Sequence, residues 1–267
     1  MRLTIWSLCF CLFFLSANTP ASNIVREAAI EKHIKERLKS GTIVDLGEGK
    51  DAFYGIYEES KLPLKQGGII LLHDIDQNPD APQIIRPLRT LLTNNGWDTL
   101  SIQMPLAGKL SSRDTYYSLL PQSALRLNAA LSFFENKNNT NLGLIGHGMG
   151  ANMAVNFLSN TPRDSLRGLI AIGMDSENPI ILDKLKKIQI PMLDIYGSLD
   201  FPFVLNTAAA RKRAVTLNAA NLNYRQFKRL GADHYFTGLQ KSLFTSVRAW
   251  LGKNIAGEEV ILRKNNK

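Results

Sequence analysis

From Gly68 onward the chain places short, unbroken apolar runs between stretches of helical spacing. The runs are Ile69–Leu72, Leu142–Ile145 and Leu169–Ile172, and Met192–Tyr196, with Asp194 at its centre, reads as a further strand. Apolar runs of four residues with no polar alternation suit strands buried on both faces. The intervening stretches predict helices over 82–94, 115–136, 150–159, 203–215 and 238–253. A strand is expected over 99–103 and a last one over 224–228. Ahead of Gly68, Thr42–Leu46 and Phe53–Glu58 read as two strands joined by the turn Gly47–Lys50. An antiparallel start followed by alternating strands and helices implies an α/β fold. Its sheet would have about eight mostly parallel strands, with helices on both faces.

The first 21 residues read differently. Arg2 precedes a 13-residue apolar run, Leu3–Leu15, and the small residues of Ser16–Ala21 follow it. A basic start, a short apolar core and a small-residue exit predict a secretory signal peptide. The run is shorter than the roughly 20 residues of a membrane span. Cys9 and Cys11, the chain's two cysteines, both lie inside it. A chain cleaved after Ala17 or Ala21 keeps no thiol. Disulfides, thiol nucleophiles and cysteine-ligated zinc are then excluded. The expected organisation is a signal peptide over 1–21, a helix within 22–41 opened by Ser22–Asn23, and one domain over 42–267. The formal charge of +9 is scattered. It suits a cell-envelope component or a small-molecule ligand as partner, and no basic patch with interleaved aromatics points to nucleic acid. Once the signal is removed, no transmembrane span is expected.

The segment that carries chemistry is Leu144-Ile145-Gly146-His147-Gly148-Met149-Gly150-Ala151. A buried strand enters a tight Gly-x-x-x-Gly turn and passes straight into a helix. This is the frame of the Gly-x-Ser-x-Gly nucleophile elbow, with Gly148 at the nucleophile position. Glycine has no hydroxyl, thiol or carboxylate, so no acyl-enzyme can form on it.

On these residues the chain resembles the α/β-hydrolase superfamily from about Phe53 to Leu251. Leu71-Leu72-His73-Asp74 is similar to the strand and His-Gly motif before the oxyanion loop. Gly96–Leu100, followed by Gln103-Met104-Pro105, is similar to the next strand and its exit. Asp194–Asp200 is similar to the strand and turn of the triad acid, and Gly231–His234 to the loop of the triad histidine. More narrowly, the chain resembles an uncharacterised family of exported bacterial proteins that carry Gly-His-Gly-x-Gly at the elbow.

The resemblance implies that Asp200 orients His234, the general base. It implies that Met149 lends a backbone N–H to an oxyanion hole, with a second N–H near Asp74 or Ile75. The binding group would be His73, Asp74, His147, Gly148 and Met149. A helix-capping turn aspartate and a surface-loop histidine are the plainer readings of Asp200 and His234. Asp74 is a second departure, because a glycine usually follows that histidine. A carboxylate facing the hole would repel a developing oxyanion. Ser176 and Ser198 read as loop formers, not replacement nucleophiles. Tyr116 and Tyr117 either line a groove or pack in the core. No cofactor is expected. No metal is expected either, since the four histidines show no His-x-His or His-Glu-x-x-His spacing. The leading expectation is an exported, ligand- or partner-binding degenerate hydrolase. The alternatives are hydrolysis by water that Asp200 and His234 activate, and a scaffold without a ligand.

Overall fold

The computed structural model describes residues 22–217 and 223–257. The expected signal segment, with Cys9 and Cys11, lies outside the described residues, as does the basic tail Arg263–Lys267. Among the described residues, eight strands form one sheet. They are β1 (Thr42–Leu46), β2 (Phe53–Glu58), β3 (Gly67–Leu72), β4 (Trp97–Ile102), β5 (Leu142–His147), β6 (Leu166–Ile172), β7 (Met192–Gly197) and β8 (Tyr224–Arg229). Their spatial order is β1-β2-β4-β3-β5-β6-β7-β8. β1–β2 and β2–β4 pair antiparallel, and every other neighbouring pair is parallel.

The apolar runs divide between the two faces with the two-residue period of a strand. In β3, Ile70 and Leu72 enter one core and Ile69 and Leu71 the other. The first core is covered by α3 (Arg113–Ser118), α4 (Leu120–Glu135), α5 (Met149–Asn160), α6 (Pro179–Leu185) and α8 (Ala208–Thr216). The second is covered by α2 (Ile85–Leu92) and α9 (Gln240–Asn254). Most of these side chains are fully buried. Each contributes about 1.5–3 kcal/mol by leaving water, so the two cores hold the sheet flat against its helices. Among the described residues, no helix is long and apolar enough to cross a membrane.

Two expected helices are each broken. The stretch 115–136 divides at Leu119 into α3 and α4. Pro121 stands in the first turn of α4, where its missing N–H costs nothing. Without an N–H, and with its ring set against the carbonyl four residues back, it cannot continue α3, so a new helix begins there. The stretch 203–215 divides into α7 (Pro202–Leu205) and α8. At that break the Thr207 hydroxyl donates to the carbonyl of Phe203 and accepts from Arg211 Nη1.

The N-terminal helix α1 (Ile24–Arg37) is capped by Asn23, whose side chain accepts from Arg26 N. Ser22 and Glu27 are buried although they lie at its start. Ser22 N donates to Gln122 Oε1 at 2.8 Å, and Ser22 Oγ donates to Glu27. Glu27 pairs with the buried Arg126 at 2.9 Å. This network fastens α1 to α4 and to the loop at Leu106.

Candidate functional site

The parallel strands deliver their carboxyl ends to one edge, where loops gather side chains from distant parts of the chain. β5 ends at His147, and Gly148 turns the chain into α5 with φ 52° and ψ −118°. Only glycine adopts that backbone without cost. At Gly150 a Cβ would stand 2.5 Å from the carbonyl oxygen of Leu72, so glycine is what lets α5 approach β3. The strand–turn–helix elbow expected from the sequence is therefore present.

At Gly148 a Cβ would overlap the carboxyl carbon and Oδ1 of Asp74. The Asp74 carboxylate occupies the place that a nucleophile's side chain would take. Asp74 Oδ1 accepts the backbone N–H of Met149 at 2.7 Å. Asp74 Oδ2 lies 3.0 Å from His234 Nε2, and His234 Nδ1 lies 2.7 Å from Asp200 Oδ1. An imidazole is thus held between two carboxylates. All three side chains are buried, with His234 at 3% exposure. The N–H expected to bind an oxyanion is already given to a carboxylate.

The electrostatics follow from these contacts. Burial works against the charge on His234, but its hydrogen bonds to Asp200 and Asp74, and their charges, outweigh burial and push it up to about 9. Burial also opposes ionisation of Asp74. The hydrogen bond from His234, together with the N–H of Met149, holds Asp74 well below the usual carboxylate range. The centre at neutral pH is a carboxylate–imidazolium–carboxylate triad. The ring of His234 is enclosed by Phe201 at 4.7 Å and Tyr235 at 5.1 Å between centroids. Gly173 also makes room for it, since a Cβ there would stand 2.8 Å from His234 Cε1. Phe201 and Tyr235 carry no motif that would have marked them in the sequence.

The other expected site residues fall into two groups. His147 lies beside the triad, its ring centroid 4.6 Å from that of His234. Its Nε2 donates to the carbonyl oxygen of His234 at 3.1 Å. His73 serves the loops: Nδ1 donates to the Asp74 carbonyl oxygen at 2.8 Å and Nε2 accepts from Met104 N at 2.9 Å. Both are pushed down to about 4, chiefly by burial, and are neutral. Ser198 Oγ accepts from Gly231 N, as a turn former does. Ser176 is buried beside Asp175, which binds Arg113, Tyr117 and Asn152. Tyr116 is in the core, with its hydroxyl on Asp76. A groove of about 890 Å³ opens elsewhere, among Lys65, Asp98, Lys137, Asn141 and Arg167, at the amino edge of the sheet.

These histidines predict a stability profile with opposite slopes. His234 keeps its proton up to about 9 when folded, against 6.5 for an unperturbed side chain. Its contribution is complete below about 6.5 and is lost as pH rises through about 9. His73 and His147 act in the reverse sense, because the unfolded chain binds protons that the folded one refuses. Their contribution is lost as pH falls from 6.5 towards about 4. Urea unfolding of chelator-treated protein should give a maximum near pH 6.5. A free energy rising steadily from pH 6.5 to 9 would show that His234 does not hold its proton.

The DUF3530 family, described as protein of unknown function, matches residues 16–125 and 121–253. The chain belongs to that family. No curated protein matches the sequence. Solved structures place the DUF3530 chain in the α/β-hydrolase fold. An esterase of Pyrococcus furiosus superposes with a TM-score of 0.67 at 16% identity, covering 84% of this chain and 96% of its own. A dienelactone hydrolase of Anabaena variabilis gives 0.63 at 17% identity, with 81% and 98% covered. An alpha-beta serine hydrolase homologue of Coxiella burnetii gives 0.63 at 16%, with 79% and 98% covered. At these identities the likeness concerns the fold, and the chemistry has to be argued from the site.

Proposed function

We propose that this DUF3530 chain is an exported hydrolase-fold protein that has given up serine acyl transfer and uses its centre for binding a ligand or partner. The observation that carries the reading is Asp74. Its carboxylate fills the space above Gly148 and takes the Met149 N–H. Acyl transfer needs an activated nucleophile and free donors aimed at the oxyanion. The first has no atom to act through at Gly148, and the Met149 donor is engaged. Export rests on the pattern Arg2, Leu3–Leu15 and Ser16–Ala21.

The rival reading, direct activation of water by Asp200 and His234, is weakened by the same geometry. Both ring nitrogens of His234 are hydrogen-bonded to carboxylates, and the ring is charged up to about 9. A general base at neutral pH must be able to accept a proton. The purified protein is expected to stay unlabelled by a serine-directed fluorophosphonate, read by intact mass. Stoichiometric labelling of one serine would overturn the proposal. Ester turnover abolished by His234→Ala would instead support the water mechanism.

A further inference from the structure

The triad leaves one buried group unexplained. His147 is fully buried, and its Nε2 carries the proton that goes to the His234 carbonyl oxygen. Nδ1 therefore holds a lone pair, and among the described residues it has no hydrogen-bond partner. A buried acceptor left unpaired costs free energy, so an unpaired ring nitrogen beside other donor groups points to a ligand. One ring nitrogen each from His147 and His234, and one oxygen of Asp74, lie within 4.8 Å of one another.

The far side of each group is already fixed. His234 Nδ1 is held by Asp200, His147 Nε2 by a backbone carbonyl, and Asp74 Oδ1 by the Met149 N–H. Metal-binding histidines characteristically give their second nitrogen to a carboxylate or a carbonyl, which fixes the ring and the tautomer. Around a tetrahedral ion with bonds of about 2.0–2.1 Å, ligand atoms stand roughly 3.3 Å apart. Asp74 Oδ2 and His234 Nε2 are 3.0 Å apart, so that edge is close to the spacing required. Charge points the same way. Asp74 and Asp200 bring two buried carboxylates to this centre, the charge that one divalent ion balances.

We propose that Asp74, His147 and His234 form a divalent transition-metal site at the end of β5, the ion replacing the proton shared by Asp74 and His234. The inference rests on the binding reading above and names its ligand. Two imidazoles and one carboxylate suit zinc and cobalt, whereas calcium and magnesium prefer oxygen alone. Three protein ligands also leave a fourth position for a small molecule.

The test is titration of chelator-stripped protein with Co²⁺ and Zn²⁺. The expected result is one equivalent of metal retained on gel filtration and a tetrahedral Co²⁺ visible spectrum that Zn²⁺ abolishes. His147→Gln should lose this spectrum. His33→Gln, in the exposed part of α1, should keep it. Asp200→Asn should weaken affinity about 10- to 100-fold by freeing the His234 ring. No stoichiometric metal on the wild-type protein would overturn the proposal, as would equal binding by His147→Gln. Should His147→Gln fail to fold, X-ray absorption on the wild-type complex decides, because a first shell without two imidazoles refutes the assignment. Absence of metal with absence of fluorophosphonate labelling would remove the metal alone. Labelling at a serine would remove the reading beneath it.

Discussion

The double variant Asp74→Gly/Gly148→Ser is expected to react with a serine-directed fluorophosphonate, whereas the wild-type protein and Gly148→Ser alone do not. Removing the Asp74 carboxylate does three things at once. It clears the space above position 148, returns the Met149 N–H to an incoming oxyanion, and frees His234 Nε2. It also removes one of the two carboxylates that hold His234 protonated. A serine at φ 52° carries backbone strain of about 1–3 kcal/mol, which the surrounding strand and helix must tolerate. The single variant fails for a steric reason, because its Cβ meets the Asp74 carboxylate. The double variant should outpace it by about 100-fold or more in labelling rate, since one oxyanion donor alone is worth about 10²–10³. A folded double variant that stays unlabelled would show that His234 does not address position 148 in solution.

His234→Ala is expected to destabilise the protein by about 3–5 kcal/mol, because it leaves Asp74 and Asp200 buried without their counter-charge. This is the reverse of what a working active site usually shows. Strained catalytic groups tend to be held at a cost in stability, and removing them often relieves it. Urea unfolding at pH 6.5 measures the difference. A loss below about 1 kcal/mol, the scale of an exposed ion pair, would mean that the triad contributes little to holding the fold.

The middle of the sheet could be read from the sequence because β3, β5 and β6 carry unbroken apolar runs. Ile69–Leu72 and Leu142–Ile145 lie within β3 and β5, and the sequence expected each of them as a strand. The two misread helices failed at single residues, Leu119 before Pro121 and Thr207, where a local competitor beats an otherwise helical pattern. The site was read in pieces. Gly148 and Asp74 each stood out as a departure from the hydrolase pattern, but as two unrelated losses. The fold makes them one substitution: the side chain missing at 148 is replaced by a carboxylate from 74 residues earlier in the chain. The grouping of Asp74, His147 and His234 had no local signal either. Its members come from two loops and the end of β5, and the spacing tests that reveal metal sites on one helix do not reach across separate segments.

The fastening of α1 has a consequence for the order in which the chain assembles. Ser22 and Glu27 find their partners at Leu106, Gln122 and Arg126, 79 to 100 positions away in sequence. The β3–β4 pairing, Gly67 with Trp97, closes a much shorter loop, and closing a longer loop costs more chain entropy. These buried polar contacts of α1 are thus made late. Ile34 packs on Tyr54 and Ile56 of β2, but the polar contacts of Ser22 and Glu27 form only once the α4 face exists, and they are lost when that face loosens. In native-state hydrogen exchange, the amides of α1 should open at lower denaturant than those of β5. The helix is a latch that closes on a finished molecule, and its attachment reports whether the rest has formed.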